Sequence, residues 1–478
     1  MLIIQLFLFM SVSLTALQSA EKFRSTYKES FLFGTSAVDI TPPMSHPQRR
    51  GASTGIGSPL FAKAMVFKQG NNAGAILTCD LVLIPENLSR IVREKVTEIT
   101  GIPYEHISIT ATHTHNSPRI AIDTYARKKD NGTLTQKDKN SYVAQLIDSM
   151  VNAIVIAYHN LNETEIISGI SRVEGIAFNR RYLMSDGTVR TNPGPLNPQI
   201  IEPAGPVDNE VHFVLFKMKK EKSFTSSLTV FACHTATKGG TDFHADYPHY
   251  IEVKLKECFG DDFISVFGIG ASGNVNTTDV VKPRSERGNV TEKLGSEIAK
   301  SIIEDFDRAA NTKVNFRVIS RIIDMPLQNI SQQDLEWARG EIEIPNLDKG
   351  RLSEVRKAKI IHLDYLKHNS AIPPSACDKP WLLPIELQVF RLSKDVAIIA
   401  IPGELFVELG LEIKKRSPFA NTLVITLANT HISYIPTKQA FSEGGYEVVN
   451  SRLGVGSGEK LVDEIVTILN EIDSTHNY

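Results

Sequence analysis

The sequence is poor in cysteine, and the few cysteines present form no recognisable motif. Only four occur among 478 residues, with no CxxC pair: Cys79, Cys233, Cys258 and Cys377. This number and scatter exclude a disulfide scaffold, and the spacing does not indicate a zinc ribbon. Cys79 and Cys233 lie in apolar, strand-like runs, where cysteine usually packs as a small hydrophobic residue.

Several other common signatures are also lacking. The formal net charge is only −2 at pH 7, which gives no reason to expect a nucleic acid or another polyanion as partner. No GxGxxG or Walker sequence occurs, so a glycine-rich phosphate-binding fold is not supported. There is no internal repeat and no long proline- or glycine-rich linker, so one large domain over residues 21–478 is the simplest interpretation.

The N-terminus has the one long apolar run of the chain. Residues 2–17 read LIIQLFLFMSVSLTAL and are followed by Ser19 and Ala20. The run is short for a membrane span, and the small residues after it are typical of a signal peptide over residues 1–20. No lysine or arginine precedes the run, and a buried N-terminal strand or helix is the alternative. We expect an exported protein, either secreted or periplasmic.

Six apolar, β-branched-rich runs each end in a polar residue capable of chemistry. Such runs predict buried strands covered by helices on both faces. Their last residues are Asp80, His115, His234, Asn274, Glu404 and Tyr434. Because ligands of α/β sheets bind beyond the carboxyl ends of strands, six such endings indicate a shared site.

Helical periodicity alternates with these runs, which predicts an α/β fold. Apolar spacing near 3.6 residues occurs in segments 88–99, 141–158, 291–306 and 461–472. A further charged, amphipathic stretch near 331–368 predicts a helical hairpin inserted between strands.

The strand-end residues suggest metal or acid–base chemistry without proving it. His113 and His115 are two residues apart, so on a strand both side chains would lie on one face, as zinc ligands or as a ligand and a proton carrier. Ordinary hydrogen-bonded histidines are an equally good interpretation of this pair. A lone His234 is weaker evidence still, whereas Glu404 after an apolar run needs water, a cation or a metal nearby.

The combination of motifs is more specific than any single one. In order, the chain contains AVDITPP with Asp39, ATHTHNSP, FNRRY, FACHTAT followed by ADYP, IPGE, and YIPT followed by GGYE. This ordered set, over residues of about 34 to 450, resembles the neutral/alkaline non-lysosomal ceramidases. The resemblance implies an α/β catalytic domain with mixed β-sheets flanked by helices, here in a short form without the family's immunoglobulin-like C-terminal domain.

The resemblance also implies a catalytic Zn²⁺ and a set of site residues. The metal ligands would be His113, His234, Glu404 and Tyr434. The catalytic residues would be His115, as general acid or base, with Arg180, Tyr446 and Asn276. If the alignment with the family were shifted by one residue, Arg181 would take the role assigned here to Arg180. A zinc-bound hydroxide would attack the carbonyl carbon of the scissile bond.

Several positions depart from the family pattern. Asn274 and Asn276 stand where the family has an aspartate and its active-site serine, and His244 stands where a serine is usual, although Asp246 is retained. No proposed zinc ligand is lost, but these changes make ceramide itself a doubtful substrate.

We therefore expect a zinc amidohydrolase acting on a linear N-acyl amide, either a ceramide-like lipid or a smaller compound. A zinc esterase or lactonase, and a non-catalytic metal- or carbohydrate-binding descendant, remain alternatives. A lipid-like substrate would bring the protein into peripheral contact with a membrane, and the oligomeric state stays open.

Overall fold

The structure is a computed structural model that describes residues 30–44, 46–48, 51–120, 142–283, 289–328 and 382–474, with Gln333, Glu336, Trp337 and Gly340. The predicted signal peptide lies outside these residues, as does the predicted helical insertion apart from those four positions. None of the helices in the described ranges is both long and apolar enough to span a bilayer.

Strands make up most of the framework. They are β1 (Phe31–Asp39), β2 (Pro47–Gln48), β3 (Gly51–Ala52), β4 (Phe61–Gln69), β5 (Asn72–Cys79), β6 (Ile107–Ala111), β7 (Asn162–Arg172), β8 (Phe178–Asn179), β9 (Arg181–Met184), β10 (Val189–Thr191), β11 (Ile200–Pro203), β12 (Glu210–Met218), β13 (Phe224–Phe231), β14 (Ile264–Ile269), β15 (Val275–Asn276), β16 (Ala310–Thr312), β17 (Val314–Pro326), β18 (Leu382–Ser393), β19 (Val396–Ala400), β20 (Glu404–Leu405), β21 (Asn421–Ile425) and β22 (Tyr434–Ile435).

The described ranges contain eight α-helices. They are α1 (Glu86–Thr100), α2 (Tyr142–His159), α3 (Tyr247–Phe259), α4 (Val290–Asp305), α5 (Val407–Arg416), α6 (Lys438–Glu443), α7 (Tyr446–Val449) and α8 (Ser457–Ser474). The four predicted from apolar periodicity, α1, α2, α4 and α8, lie close to their expected positions. In α1, for example, Leu88, Val92 and Val96 are buried at four-residue spacing. The helix ends at Gly101, whose φ of 73° suits glycine because it has no Cβ.

Two mixed sheets organise these elements. The larger sheet has the order β14-β13-β12-β7-β1-β4-β5-β6, with β16 paired to β7. The smaller sheet has the order β17-β18-β19-β21. The pairs β5–β6, β13–β14 and β19–β21 are parallel, and the other pairs in these two sheets are antiparallel. The expected mixed sheets flanked by helices are therefore confirmed.

The expectation that helices cover both faces of each sheet is wrong, because the two sheets pack against each other. In β19, Val396 and Ile398 point into the core between the sheets, whereas Ala397 and Ile399 point towards helices. On the facing sheet, Phe33 stacks on Phe216 with ring centroids 3.8 Å apart. A strand buried on both faces is apolar throughout, whether helices or another sheet cover it, so the sequence could not distinguish the two.

Helices cover the two outer faces. Helices α1 to α4 pack with the larger sheet in one hydrophobic core, and α5 and α8 pack with the smaller sheet in another. Cys79 and Cys233 are buried in the first core with free thiols, as expected for small apolar residues. The result is a four-layer arrangement of helices, sheet, sheet and helices, and loops at the strand ends build one large cavity.

Candidate metal and active site

A cavity of about 750 Å³ lies beyond the strand ends, and it collects most of the expected site residues. Its lining includes His113, His115, Arg180, His234, Glu404, Tyr434 and Tyr446. Six of these seven come from loops or from two-residue strands rather than from long elements, and Tyr446 begins the short helix α7. The two sheets therefore act as a rigid support for a site made of loops.

Backbone carbonyls fix the two most buried histidines of this cavity. Nδ1 of His113 lies 2.6 Å from the Val82 carbonyl oxygen, and Nδ1 of His234 lies 2.7 Å from that of Ser272. A carbonyl oxygen can only accept, so both Nδ1 atoms carry the proton and both Nε2 atoms present a lone pair. Burial, followed by the charge of Arg180, lowers the pKa of His234 to about 4, which keeps this ring neutral at pH 7.

The carboxylate of Glu404 lies between these two lone pairs. Its Oε2 is 3.5 Å from His113 Nε2 and 3.3 Å from His234 Nε2, and among the described residues this buried oxygen has no hydrogen-bond partner. Tetrahedral zinc with bonds of about 2.0–2.1 Å holds its ligand atoms about 3.3 Å apart.

A buried carboxylate oxygen without a donor is costly unless a cation satisfies it. The two imidazoles and the carboxylate therefore fit a divalent metal ion in their chemistry and their separations. Nitrogen and oxygen donors of this kind suit zinc among other transition metals.

Tyr434 lies beside Glu404 because β20 and β22 pair in parallel, with Glu404 opposite Tyr434. The ring of Tyr446 contacts it edge-on, with centroids 5.7 Å apart, and the Arg180 guanidinium lies 5.4 Å from the Tyr434 centroid. Burial and the charge of Glu404 raise the pKa of Tyr434 well above its usual value. The phenol is therefore protonated at neutral pH unless a bound cation stabilises the phenolate.

His115 joins the same cluster, although not for the reason the sequence suggested. Strand β6 ends at Ala111, and His113 has a left-handed φ of 67°, so strand alternation does not apply to this pair. The fold nevertheless places His115 Nε2 3.5 Å from His113 Nε2. The ligand nitrogens of His113, His115 and His234 all lie within 4.8 Å of one another, a group that could hold a metal ion.

The structure separates Arg180 from Arg181. Arg180 lines the cavity, and its Nη1 lies 3.4 Å from His234 Nε2. Arg181 points away from the cavity, where it donates to the Gly444 carbonyl and pairs with Glu443. Consecutive residues of an extended chain point to opposite sides, so only one of the two can face the site.

The asparagines that replace family residues occupy different places. The side chain of Asn274 accepts the Val407 N–H at 2.9 Å and donates to Glu408, so it organises the start of α5 and does not line the cavity. Asn276 donates to Asn192, and Asn192 lines the cavity. Asn276 therefore contacts the cavity wall and is not one of the lining residues.

The remaining strand-end and motif residues have structural contacts. Asp80 accepts the Phe61 N–H at 2.9 Å and the Thr112 hydroxyl at 3.1 Å, away from the large cavity. His244 is buried, and its Nδ1 accepts the N–H of Asp246, which caps α3. Asp39 accepts the Thr41 N–H at the end of β1. Four of the six predicted strand-end residues thus share the site, whereas Asp80 and Asn274 do not.

Three residues that sequence reasoning did not single out take part in the arrangement. His431 lines the cavity, with Nε2 3.6 Å from Glu404 Oε1. Glu447 is fully buried behind Arg180, and Asn429 connects β6 to the smaller sheet. His431 could have been found from the sequence, because it lies three residues before Tyr434 in the same apolar run. Glu447 is the last residue of the GGYE motif, so its position also offered a signal, whereas the sequence offers no comparable signal for Asn429.

Known proteins resemble this chain in sequence and in fold. Residues 31–243 match the sequence model of the family described as neutral/alkaline non-lysosomal ceramidase, N-terminal. No curated protein matches the chain. The solved neutral ceramidase from Pseudomonas aeruginosa has a TM-score of 0.69 at 16% identity, covering 94% of this chain and 75% of that chain. A structure of a ceramidase complexed with C2 has a TM-score of 0.67 at 15% identity, covering 93% and 76%.

At such identities the structural likeness shows the fold, and the sequence match adds a resemblance to the family over residues 31–243. The matched segment contains His113, His115, Arg180 and His234, whereas Glu404, Tyr434 and Tyr446 lie beyond it and join the site through the fold. The sequence match and the shared fold together confirm the resemblance of this chain to the neutral/alkaline non-lysosomal ceramidases.

Proposed function

We propose that this protein is a zinc-dependent hydrolase that cleaves an N-acyl amide bond. One observation carries the proposal: the buried Glu404 Oε2 lacks a donor and lies 3.3–3.5 Å from two imidazole lone pairs. Zinc would be held by His113, His234, Glu404 and Tyr434. When bound, zinc supplies a water ionised near neutral pH and positive charge for the developing oxyanion.

The side chains around this position have complementary tasks. In His113 and His234 the carbonyl oxygens hold the proton on Nδ1 and leave Nε2 unprotonated, so each would offer a lone pair without a proton being removed first. Arg180 and Tyr446 line the same cavity and would donate hydrogen bonds to the carbonyl oxygen of the substrate. Asn276 would act through Asn192 on the wall of the cavity.

His115 is proposed as the proton donor to the leaving atom. It lies in the cluster but is less buried than His113 and His234, so its proton can exchange with solvent. An amine leaves poorly unless it is protonated, which makes this transfer necessary for amides and less so for esters with good leaving groups.

The substrate is proposed to be a linear N-acyl compound, either lipid-like or smaller, and a lipid would involve peripheral membrane contact. A cavity of about 750 Å³ accommodates a ligand of drug-like size. Export through the N-terminal signal, to the periplasm or the medium, is part of the proposal, as is a single catalytic domain over residues 21–478.

The test combines metal analysis with a substrate panel. Wild type, His113→Ala and Glu404→Ala are purified and analysed for zinc, and each is assayed on N-acyl amides, activated esters and lactones. We expect one zinc per wild-type chain, lost with activity in both variants. His159→Ala, on the exposed end of α2, is the matched control and should keep both.

The panel also decides between the alternatives. Zinc with ester or lactone turnover but no amide turnover would replace the amidase by an esterase. Zinc without turnover of any acyl substrate would indicate a binding protein. A folded wild type that takes up no metal would overturn the zinc mechanism itself.

A further inference from the structure

Behind the wall of the cavity lies a buried carboxylate that the proposed mechanism does not use. Glu447 is 0% exposed and accepts from three donors: Arg180 Nε at 2.7 Å, Arg181 Nη1 at 3.2 Å and the Thr191 hydroxyl at 2.7 Å. It follows Tyr446 directly in α7. Its two carboxylate oxygens thus link two residues of the cavity lining, Arg180 and Thr191, to Arg181 outside the cavity.

Arg180 has little freedom in this arrangement. Besides Glu447, its Nη2 donates to the carbonyl oxygen of Gly273, and its Nη1 reaches 3.4 Å from His234 Nε2. Both Arg180 and His234 are buried. A fixed positive charge therefore lies beside an imidazole nitrogen that is proposed to bind a divalent cation.

Two like charges at such a distance repel strongly where water is excluded. The carboxylate of Glu447, at 2.7 Å from Arg180, is the nearest opposite charge to this guanidinium among the described residues. Arg181 has a second carboxylate partner, Glu443, besides Glu447. The charge of Glu447 is therefore available to balance that of Arg180.

We propose that Glu447 is a positioning residue that makes metal binding compatible with Arg180. It neutralises the guanidinium next to His234 and fixes its orientation, so that a divalent cation binds without being repelled and the remaining Arg180 N–H groups point into the cavity. This inference rests on the proposed metal site, and it adds a charge-balancing role to a residue outside that site.

A purely structural role for Glu447 would also lower activity, so the test measures metal affinity. Apo protein is titrated with Zn²⁺ in competition with a chromophoric chelator at fixed pH, for wild type, Glu447→Gln, Arg180→Gln and the double variant. We expect Glu447→Gln to weaken zinc binding about 10- to 100-fold, the range typical for partners of ligating residues. In the double variant, affinity should return close to that of wild type while turnover stays lost.

Arg180→Gln supplies an independent arm, because Glu447 keeps Arg181 and Thr191 as partners and the fold should persist. This variant should bind zinc at least as tightly as wild type. Glu443→Gln is the matched control: it removes a carboxylate from Arg181 but not from Arg180, and its zinc affinity should be unchanged.

The possible results separate the two proposals. Unchanged zinc affinity in Glu447→Gln, additive losses in the double variant, or weaker binding in Arg180→Gln would each overturn the role of Glu447. If Glu447→Gln does not fold, the affinity of Arg180→Gln still decides the question. A wild type that binds no zinc would instead overturn the proposed function.

Discussion

The side chain of Asn429 accepts the backbone N–H of Ile109 at 2.9 Å, and this bond joins the two sheets next to the site. Ile109 belongs to β6, which leads to His113, and Asn429 follows β21 on the way to Tyr434. The amide group of Asn429 also donates to Glu386 and Gln388 of β18. One buried amide thus fixes the relative position of the two chain segments that carry proposed ligands.

Replacing Asn429 with alanine should lower the free energy of unfolding by about 2–3 kcal/mol, because the buried Ile109 N–H and the Gln388 side-chain oxygen lose their hydrogen bonds to Asn429. Alanine also tolerates the φ of 59° at this position less well than asparagine. Urea unfolding measures the change. Asn470→Ala on the exposed side of α8 is the matched control, and an equal effect in both variants would contradict the role of Asn429.

Removing the metal should destabilise the protein, because only the folded state brings the ligands together. Zinc at about a thousand times its dissociation constant adds about 4 kcal/mol to the free energy of unfolding. We expect zinc to restore the melting temperature of chelator-treated wild type. In Glu404→Gln, zinc should not raise the melting temperature, because the buried carboxylate oxygen that would bind the metal is replaced by an amide.

Glu304→Gln, on the exposed surface of α4, is the control for this zinc effect and should respond as wild type does. A zinc-dependent increase that survives in Glu404→Gln would place the metal elsewhere.

His115→Ala should retain zinc and lose about 10²- to 10⁴-fold in turnover of amides, the range for loss of a general acid or base. Activated esters, whose leaving group needs no proton, should be affected much less. Turnover on both substrate classes and zinc content are measured on the same preparation. Loss of zinc would instead make His115 a metal ligand, which its position in the three-histidine group allows.

Asp80 should make stability depend on pH in a defined direction. Burial, opposed by Lys63, raises the pKa of this carboxyl to about 6. Between pH 4 and 6 the unfolded chain loses this proton while the folded chain keeps it, so stability falls as pH rises through this window. From the shift in pKa, the effect is about 3 kcal/mol.

Asp80→Asn removes this titration, so urea unfolding of wild type and variant at pH 4 and pH 7 isolates it. The variant should be more strongly destabilised relative to wild type at pH 4 than at pH 7. Since the metal ligands are common to both proteins, their titration cancels in the comparison. A larger difference at pH 7 would mean that the folded state favours the ionised carboxylate.

Local periodicity was sufficient to predict four of the eight described helices, but it did not indicate α3, α5, α6 or α7. The predicted helical segments 88–99 and 461–472 lie inside α1 and α8, and segments 141–158 and 291–306 match α2 and α4 to within one residue at each end, because the spacing of apolar residues reflects the geometry of the helix itself. The predicted positions of the strand ends were less accurate. His115, His234 and Tyr434 follow loops rather than continuous strands, since an apolar run does not reveal where hydrogen bonding to a neighbouring strand stops.

By itself, the sequence determined the family resemblance and the candidate site residues through its ordered motifs, and the α/β class through its alternating apolar runs and helical periodicity. Only the tertiary structure decided which surface covers each strand, which of Arg180 and Arg181 faces the cavity, and that Glu447 and Asn429 support the site. These features depend on contacts between residues more than 250 positions apart, such as Glu447 with Arg180 and Asn429 with Ile109. Composition and spacing describe neighbours along the chain, whereas such pairings arise only when the two sheets pack together.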